Sequence, residues 1–379
     1  MRGMYFCLSG KCLKYKGITE EEMSLSIDFL GFRLKNPLML SEGPLSGDFE
    51  LLKLVSEYRI GLIFTKGIRL KPAISPVPFI RKYERSLINA DWSCIGMNEW
   101  LDVISKLDIN VPLVTSIAKN YVKPDTAVEM AVELVKAGSK AVSFVDYNSN
   151  ELIKTVRLAR TKLKVPIMVK LPPFIHDMEK VLKSLVRAGV DAIAAMDSIG
   201  PILSIDIETG EPLLGSVDGS GYLSGRYILP VTLKYIYEIS RFVNVPVVGV
   251  GGVTDYRSAL QMIMAGATGV GMVSEPLLKG PGIFNKVEKD LKSYLKKKDI
   301  GNISDLRGIT HKIVEERKVS ANMRAWINSD ICTMCGACEK VCYPGAISKN
   351  LKSYTVNRIS CVGCGLCESV CPVNAVTFK

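Results

Sequence analysis

Short apolar runs alternate with amphipathic segments along most of the chain, from about residue 36 to residue 300. Each run is five to seven residues long and is rich in Val, Ile, Leu, Ala and Met. The eight runs are residues 38–42, 60–66, 112–117, 141–145, 166–171, 191–197, 246–250 and 268–273. Continuous apolar runs of this length are typical of parallel strands that are buried on both faces.

A helical pattern follows each run. In residues 125–137 and 255–265 the apolar positions recur at helical spacing, and Asp125 and Asp255 stand where N-cap residues are expected. Gly138, Gly189 and Gly266 provide stop signals before the next run. Eight βα units in roughly 260 residues predict a (β/α)8 TIM barrel. A doubly wound open sheet is the alternative, although that fold normally contains fewer units.

The pattern also divides the chain into segments. Residues 1–22 are predicted to be an N-terminal extension, 23–303 the barrel, 304–327 a linker, and 328–379 a small second domain. Two βα connections, 67–97 and 199–229, are too long to be simple turns. Long loops at the carboxyl ends of barrel strands usually build the active site, so we expect them to cover it.

Two cysteine runs mark the small domain, each with the spacing C-x2-C-x2-C-x3-C. This is the ligand pattern of a bacterial-type ferredoxin with two [4Fe–4S] clusters, in which the fourth cysteine of each run binds the other cluster. One predicted ligand set is Cys332, Cys335, Cys338 and Cys371, and the other is Cys361, Cys364, Cys367 and Cys342. A pair of zinc ribbons is the alternative. The spacing of the remaining cysteines, Cys7, Cys12 and Cys94, does not indicate a role for them.

Composition excludes several classes of protein. Hydrophobic residues make up 47% of the 379 residues and charged residues 23%, which suits a globular chain with a sizeable core. No apolar stretch is long enough to span a bilayer, and no secretory signal is recognisable. We therefore expect no membrane contact and a cytoplasmic location, in agreement with cysteines held as metal thiolates. The net charge of +11 is spread along the chain, so nucleic-acid binding is not expected.

Glycine-rich ends on the last two strands suggest a phosphate site. Residues 249–252 read GVGG and residues 269–274 read GVGMVS, and the loops after strands seven and eight of barrels commonly bind phosphate. The first cluster lacks the G-x-G-x-x-G spacing of a dinucleotide site. A barrel with a phosphate site that is fused to iron–sulfur clusters favours FMN, which exchanges hydride for single electrons. Lys66 and Lys170 end strands two and five and are the expected cations beside the flavin; Lys66 is also predicted to be catalytic.

Over about residues 24–310 the chain resembles the dihydroorotate dehydrogenase family. The matching stretches are residues 36–39 (NPLM), 65–66 (TK), 76–78 (PVP), 169–173 (VKLPP), 206–209 (DIET), 223–225 (LSG) and 249–252 (GVGG). With the ferredoxin module, the whole is similar to the FMN and iron–sulfur portion of dihydropyrimidine dehydrogenase. The bacterial form of that enzyme keeps this portion as a separate subunit, whose partner binds FAD and NAD(P)H.

The resemblance implies an FMN site and a redox partner. The residues that match FMN-contacting positions of the family are Ser41, Gly43, Lys66, Lys170, Ser198, Gly225, Gly251, Gly252, Val273 and Ser274. The implied partner is an NAD(P)H-binding flavoprotein subunit or a ferredoxin, and we expect a homo- or hetero-oligomer. The implied substrate is a small cyclic compound, dihydroorotate or another dihydropyrimidine.

The substrate positions depart from the family pattern. The family's proton-transferring cysteine falls on Asp146, and a substrate-binding asparagine has become Ser143. Another such asparagine aligns with Asp197, whereas Asn89 and Asn148 are retained. These four positions, Asn89, Ser143, Asn148 and Asp197, are the predicted substrate-binding residues.

Two alternatives remain open at the sequence level. Asp146 either transfers the proton, for which burial must raise its pKa, or only caps the following helix. The chain is accordingly either a dehydrogenase or a flavin and iron–sulfur electron-transfer subunit without a substrate of its own.

Overall fold

The computed structural model describes residues 23–317 and 320–379 in full, and the backbone alone of residues 5–8 and 11–14. Those two short segments pair as antiparallel strands, Tyr5–Leu8 with Lys11–Lys14. The rest of the predicted extension 1–22, and the side chains of Cys7 and Cys12, lie outside the described residues. The chain forms two compact units, Met1–Glu315 and Glu316–Lys379, which are described separately below.

Eight parallel strands close into a barrel in the first unit. They are β1 (Leu38–Leu40), β2 (Leu62–Phe64), β3 (Leu113–Ala118), β4 (Val142–Val145), β5 (Ile167–Lys170), β6 (Ala192–Ala195), β7 (Val247–Val250) and β8 (Gly269–Met272). Each predicted run coincides with one of these strands, although β3 extends one residue past its run, and the (β/α)8 prediction is confirmed. Because β1 pairs with both β8 and β2, the sheet has no edge, which excludes the doubly wound alternative.

Helices surround the barrel. They are α1 (Phe49–Ser56), α2 (Met97–Lys106), α3 (Pro124–Lys136), α4 (Ser149–Lys162), α5 (Met178–Ala188), α6 (Leu229–Phe242), α7 (Tyr256–Ala265), α8 (Ser274–Lys279), α9 (Ile283–Lys298) and α10 (Ile309–Glu316). Asp255 caps α7, as predicted. The prediction that Asp125 caps α3 is wrong: the N-cap is Lys123, and Pro124 occupies the first helical position, where its missing N–H is not needed.

The two long connections meet in a four-stranded antiparallel sheet. Its strands lie in the order Ile199–Ile202, Gly221–Gly225, Ser86–Asn89 and Ile80–Tyr83. One connection therefore supplies two neighbouring strands, and the other supplies the remaining two. This pairing fixes two loops that are more than a hundred residues apart in the chain, and it places Asn89 and Tyr222 side by side.

Helix α10 continues the first unit past residue 303. Gly308 donates from its N–H to the carbonyl of Ile263, and His311 Nε2 lies 2.9 Å from Ser240 Oγ. The His311 ring stacks on Tyr237 at 4.3 Å, and burial lowers the pKa of the imidazole. These contacts explain why the compact unit runs to Glu315.

The second unit is built from two similar halves. Two strand pairs, Ala325–Ile327 with Val376–Phe378 and Ile347–Lys349 with Tyr354–Val356, accompany the short helices α11 (Ala337–Lys340) and α12 (Leu366–Ser369). Both helices begin after a glycine in the left-handed region, Gly336 with φ 78° and Gly365 with φ 90°. No helix within the described residues has both the length and the apolar character that a bilayer span needs.

Gly252 provides a test of how closely the barrel loops pack. It has φ +101°, and a Cβ added there would lie 2.5 Å from Leu229 Cβ and 2.6 Å from Leu229 Cα. Gly210 has φ +75° but no atom within 4 Å of an added Cβ. We expect Gly210→Ala to lower the free energy of unfolding by about 1 kcal/mol through backbone strain alone. Gly252→Ala should cost about 1–3 kcal/mol more because of the clash.

Urea unfolding followed by circular dichroism measures both variants. If Gly210→Ala and Gly252→Ala lowered the free energy of unfolding equally, the loop at Gly252 would be able to move away from Leu229, contrary to the close packing described.

Candidate active site

Two adjoining cavities open at the carboxyl ends of the barrel strands. The first, of about 500 Å³, is lined largely by glycines and small side chains from the ends of β7 and β8. The second, of about 1170 Å³ and partly open to solvent, is lined by lysines, aromatic rings and amides. Both include Glu42, Lys170, Asp197, Ser198 and Val273, so they form one continuous cleft.

The glycine-rich end is suited to an anion. Gly225, Gly251 and Gly252 all have positive φ, so the backbone approaches the cavity without side chains in between. The hydroxyls of Ser224 and Ser274 lie 2.9 Å apart at the same place. Hydroxyl and backbone donors around a glycine-lined hollow bind phosphate groups well.

A buried charge cluster forms the floor of the cleft. Lys170 Nζ lies 3.2 Å from Glu42 Oε2 and 3.3 Å from Asp197 Oδ1. Burial alone would lower the pKa of Lys170, but the carboxylates of Asp197 and Glu42 outweigh it and the pKa is raised. Glu42 also accepts hydrogen bonds from Ser41 Oγ at 2.5 Å and Ser116 Oγ at 3.3 Å. Lys170 is therefore a fixed positive charge at physiological pH.

Lys66 supplies a second cation at the end of β2. Its ammonium group forms an ion pair with Asp91, which comes from the first long connection. The Asp91 side chain is 4% exposed and also accepts a hydrogen bond from the N–H of Ser93 at 2.9 Å. Lys66 is thus held by the loop that covers the cleft.

Asp146 is directed away from the cleft. Its Oδ2 lies 2.8 Å from Lys119 Nζ, and its Oδ1 accepts a hydrogen bond from the N–H of Asn148 at 2.8 Å. Asn148 in turn caps α4 by accepting from the N–H groups of Asn150 and Glu151. Neither residue lines the cavities. The predicted cap is therefore wrong for Asp146, because Asn148 is the N-cap of α4. The geometry instead gives Asp146 a structural role as the partner of the buried Lys119.

Tyr147, the next residue, does line the cleft. Its hydroxyl donates a hydrogen bond to Asp197 Oδ2 over 3.2 Å, and its ring lies 6.0 Å from that of Tyr222. Burial, together with the Asp197 carboxylate, raises the pKa of the Tyr147 phenol. A neutral phenol beside a carboxylate is therefore the proton-bearing group that β4 presents to the cleft.

The structure brings most of the predicted site residues together. Those that line the cleft are Gly43, Lys66, Asn89, Lys170, Asp197, Ser198, Gly225, Gly251, Gly252, Val273 and Ser274. Ser41 does not line the cleft, but its hydroxyl donates a hydrogen bond to Glu42, which does. Ser143 lies within β4, fully buried, and its hydroxyl has no hydrogen-bond partner among the described residues.

Sequence reasoning missed several residues that line the cleft. They are Glu42, Arg69, Asp91, Asn120, Tyr121, Tyr147 and Tyr222. Glu42 and Tyr147 carried a usable signal, because Glu42 ends the predicted run 38–42 and Tyr147 lies two residues after the run 141–145. Tyr222 lies in a strand of the four-stranded sheet, and the remaining four lie in the connections after β2 and β3, where no periodicity indicates which side chain points inward.

The eight cysteines of the second unit surround two cavities. One, of about 290 Å³, is lined by Cys332, Cys335, Cys338 and Cys371. The other, of about 320 Å³, is lined by Cys342, Cys361, Cys364 and Cys367. Each set combines three thiols of one run with the fourth of the other, which is the predicted crossed grouping. The N–H groups of Ala346 and Ala375 donate to Cys342 Sγ and Cys371 Sγ at 3.3 and 3.2 Å.

Comparison with known proteins identifies the family. The dihydroorotate dehydrogenase family profile matches residues 94–295, more than half of the chain. The chain belongs to the dihydroorotate dehydrogenase family. A 4Fe–4S dicluster domain profile matches residues 325–378. The sequence-based resemblance to this family with a ferredoxin module is therefore confirmed.

Curated relatives match about three quarters of the chain. A protein of Methanosarcina mazei is 30% identical over 303 residues, which is 75% of this chain and 94% of the relative. Proteins of Methanothermobacter thermautotrophicus and Brachyspira hyodysenteriae are 26% and 30% identical, over 76% of this chain and 98% and 99% of their own lengths. All three are named dihydroorotate dehydrogenase B (NAD(+)), catalytic subunit. The family consists of oxidoreductases that act on CH–CH groups.

The Lys119–Asp146 pair gives a test of the structural role of Asp146. Asp146→Asn would leave the buried Lys119 with only Glu151, 3.6 Å away, and should lower the free energy of unfolding by about 3–5 kcal/mol. The double variant Lys119→Met/Asp146→Leu should recover most of that loss, because it removes both charges. Glu133→Gln, which breaks the exposed pair with Lys136, is the control and should cost less than about 0.5 kcal/mol.

Chemical denaturation of the three variants measures these differences. If Asp146→Asn were as stable as the Glu133→Gln control, the Lys119–Asp146 ion pair would not stabilise the fold. The structural role assigned to Asp146 would then be wrong.

Proposed function

We propose that the chain is an FMN- and iron–sulfur-dependent dehydrogenase of a small cyclic substrate, dihydroorotate or another dihydropyrimidine. The reaction interconverts a C–C single and double bond next to a carbonyl group. The observation that carries the proposal is the continuous cleft, in which a glycine-lined end suited to phosphate joins an end lined by lysines and aromatic rings. The eight cysteines of the second unit, grouped around two cavities, support the iron–sulfur part.

The residues of the cleft fit FMN. Gly225, Gly251, Gly252 and Ser274 would hold the phosphate, while Lys66 and Lys170 would lie toward the ring system. At Gly43 an added Cβ would come within 2.6 Å of Val273 Cγ1, so only glycine leaves this wall of the cleft in place. Bound FMN would exchange a hydride with the substrate and pass the electrons on singly.

The outer part of the cleft suits a flat, polar ring. The side chains of Asn89 and Asn120 line it and make no hydrogen bonds to other described residues, so their amides can bind the carbonyl and N–H groups of a substrate. Tyr121, Tyr147 and Tyr222 line the same space and provide aromatic surface. Asp197 stands where the family has an amide and offers a carboxylate to the ring instead, whereas Ser143 is fully buried in β4 and does not line the cleft.

Tyr147, in place of Asp146, is our candidate for proton transfer. In the oxidative direction the substrate loses a hydride from one carbon and a proton from its neighbour. The phenol oxygen of Tyr147 takes that proton while its own hydroxyl proton passes to Asp197, 3.2 Å away. Lys170, 3.3 Å from the other oxygen of Asp197, holds the carboxylate in position. Reduction follows the same path in reverse.

Electrons leave or enter through the second unit. The two cavities would hold one [4Fe–4S] cluster each, and two one-electron steps then balance one hydride transfer. The three relatives are named as catalytic subunits of an NAD(+)-dependent enzyme, and this chain has no nicotinamide motif. We therefore infer a redox partner, either an NAD(P)H-binding flavoprotein subunit or a ferredoxin, and a hetero- or homo-oligomeric enzyme in the cytoplasm.

Anaerobic flavin bleaching tests the reaction. Purified holoenzyme mixed with dihydroorotate and a panel of dihydropyrimidines should lose its flavin absorbance rapidly with at least one of them. Tyr147→Phe should slow the bleaching by a factor of about 10² or more, because it removes the transferable proton. Tyr227→Phe, a phenol that pairs with Glu84 and does not line the cleft, should have no effect.

Other outcomes have distinct meanings. Bleaching by dithionite but by none of the panel would favour the substrate-less electron-transfer subunit. If a folded Asp146→Asn variant were no longer bleached while Tyr147→Phe stayed fully active, Asp146 and not Tyr147 would be the residue that transfers the proton. Absence of bound flavin would contradict both functions.

The crossed cluster ligation predicts which thiols a single substitution releases. In Cys371→Ser, the thiols of Cys332, Cys335 and Cys338 should react with an alkylating reagent, whereas Cys361, Cys364 and Cys367 stay protected. Cys342→Ser, the matched control, should give the opposite pattern. Mass spectrometry of the alkylated peptides reads out both. Release of the thiols from the same run as the substituted cysteine would contradict the assignment.

A further inference from the structure

Arg69 is distinctive among the charged residues of the cleft. The cleft is lined by three cations, Lys66, Arg69 and Lys170, and by three carboxylates. Lys66 forms an ion pair with Asp91, and Lys170 is paired with Glu42 and Asp197. Among the described residues, no carboxylate lies within ion-pair distance of Arg69, although it is half-buried.

Tyr121 holds the Arg69 side chain in position. The guanidinium carbon lies 3.8 Å from the centre of the Tyr121 ring, a close cation–π contact. A cation–π contact holds the guanidinium in place without using its N–H groups. None of the N–H groups of the Arg69 guanidinium donates a hydrogen bond to a described residue. The backbone is also fixed, because Arg69 forms a bridge with Gly96. Five N–H donors in a fixed plane are thus available to a ligand in the cleft.

We infer that Arg69 binds a carboxylate substituent on the substrate ring, so that the cleft selects a carboxylated dihydropyrimidine over the uncharged ring. This inference rests on the proposed function. A planar guanidinium matches a planar carboxylate through two parallel hydrogen bonds, which suits Arg better than Lys. A substrate carboxylate would also give Arg69 an ion-pair partner, which it lacks among the described residues.

The position of Arg69 separates this anion site from the phosphate end. Arg69, Asn89, Asn120 and Tyr121 line only the larger cavity, whereas Gly251 and Gly252 line only the smaller one. The continuous cleft therefore contains two separate anion-binding regions, the glycine-lined end for a phosphate and the Arg69 site for a carboxylate. The amides of Asn89 and Asn120 lie in the same cavity as Arg69, where a ring carrying the carboxylate can use all three.

The test compares ligand binding in the oxidised holoenzyme. The probes are orotate, which carries the carboxylate, and uracil, which is the same ring without it. Their dissociation constants are measured by calorimetry and by perturbation of the flavin spectrum, neither of which requires turnover. The variants are Arg69→Gln, Arg69→Lys and, as a matched control, Arg157→Gln on the exposed side of α4.

We expect wild-type protein to bind orotate more tightly than uracil. Arg69→Gln should weaken orotate binding by about 10-fold or more and change uracil binding less than about 2-fold. Arg69→Lys should recover only part of the loss, because an ammonium lacks the planar fork. Tyr121→Leu should weaken orotate binding less than Arg69→Gln does, since it frees the guanidinium without removing it. Arg157→Gln should leave both constants unchanged.

Two failures are distinguishable. If wild-type protein is bleached by uncharged dihydropyrimidines and binds orotate no more tightly than uracil, the inference about Arg69 is wrong and the proposed function stands. Equal losses for both rings in Arg69→Gln would likewise overturn the inference. If wild-type protein with bound flavin neither binds any ring nor is bleached by one, the proposed function itself is wrong.

Discussion

A salt bridge across the barrel mouth is the interaction on which the site depends. Lys170 ends β5, and Glu42 follows β1, which lies on the opposite side of the closed barrel. A lysine buried to this degree is stable only if its charge is compensated, and Glu42 and Asp197 compensate it from two further strands. The same pair of carboxylates is anchored by Ser41, Ser116 and Tyr147. The ends of β1, β3, β4, β5 and β6 are thus coupled through one small polar cluster.

This cluster explains why the cleft has two chemically different ends. On one side of it β7 is followed by Gly251 and Gly252, and Gly271 lies in β8, so the backbone itself forms much of the wall. On the other side the two long connections pair in their own sheet and bring in Asn89, Asp91 and Tyr222. A phosphate end requires close approach of the backbone, whereas a substrate end requires converging side chains. The barrel supplies the first from its strands and the second from its loops.

The second unit follows a different principle, internal repetition. The spacing of 29 residues that relates Cys332 to Cys361 also relates Gly336 to Gly365 and Ala346 to Ala375. Each half therefore repeats the same turn, short helix and N–H to sulfur hydrogen bond. Because the fourth cysteine of each run lines the cavity of the other half, neither half is complete alone. Crossed ligation would thus join the two halves and stabilise the second unit, whose hydrophobic core is small.

The sequence alone determined the eight strands, the glycine-rich strand ends and the crossed grouping of the cysteines, because burial periodicity, glycine conformation and ligand spacing are local properties of the chain. It also located Lys66, Lys170 and Asp197 at strand ends. Only the tertiary structure decided the direction of the side chains after those ends: Asp146 turns toward Lys119, and its neighbour Tyr147 faces the cleft. Glu42 acquired its role in the same way, since its partner Lys170 lies 128 residues away. The periodicity of apolar residues predicts which side chains of a strand are buried, but it says nothing about the loop that follows. The directions of loop side chains are set by charged partners that lie far away in the sequence.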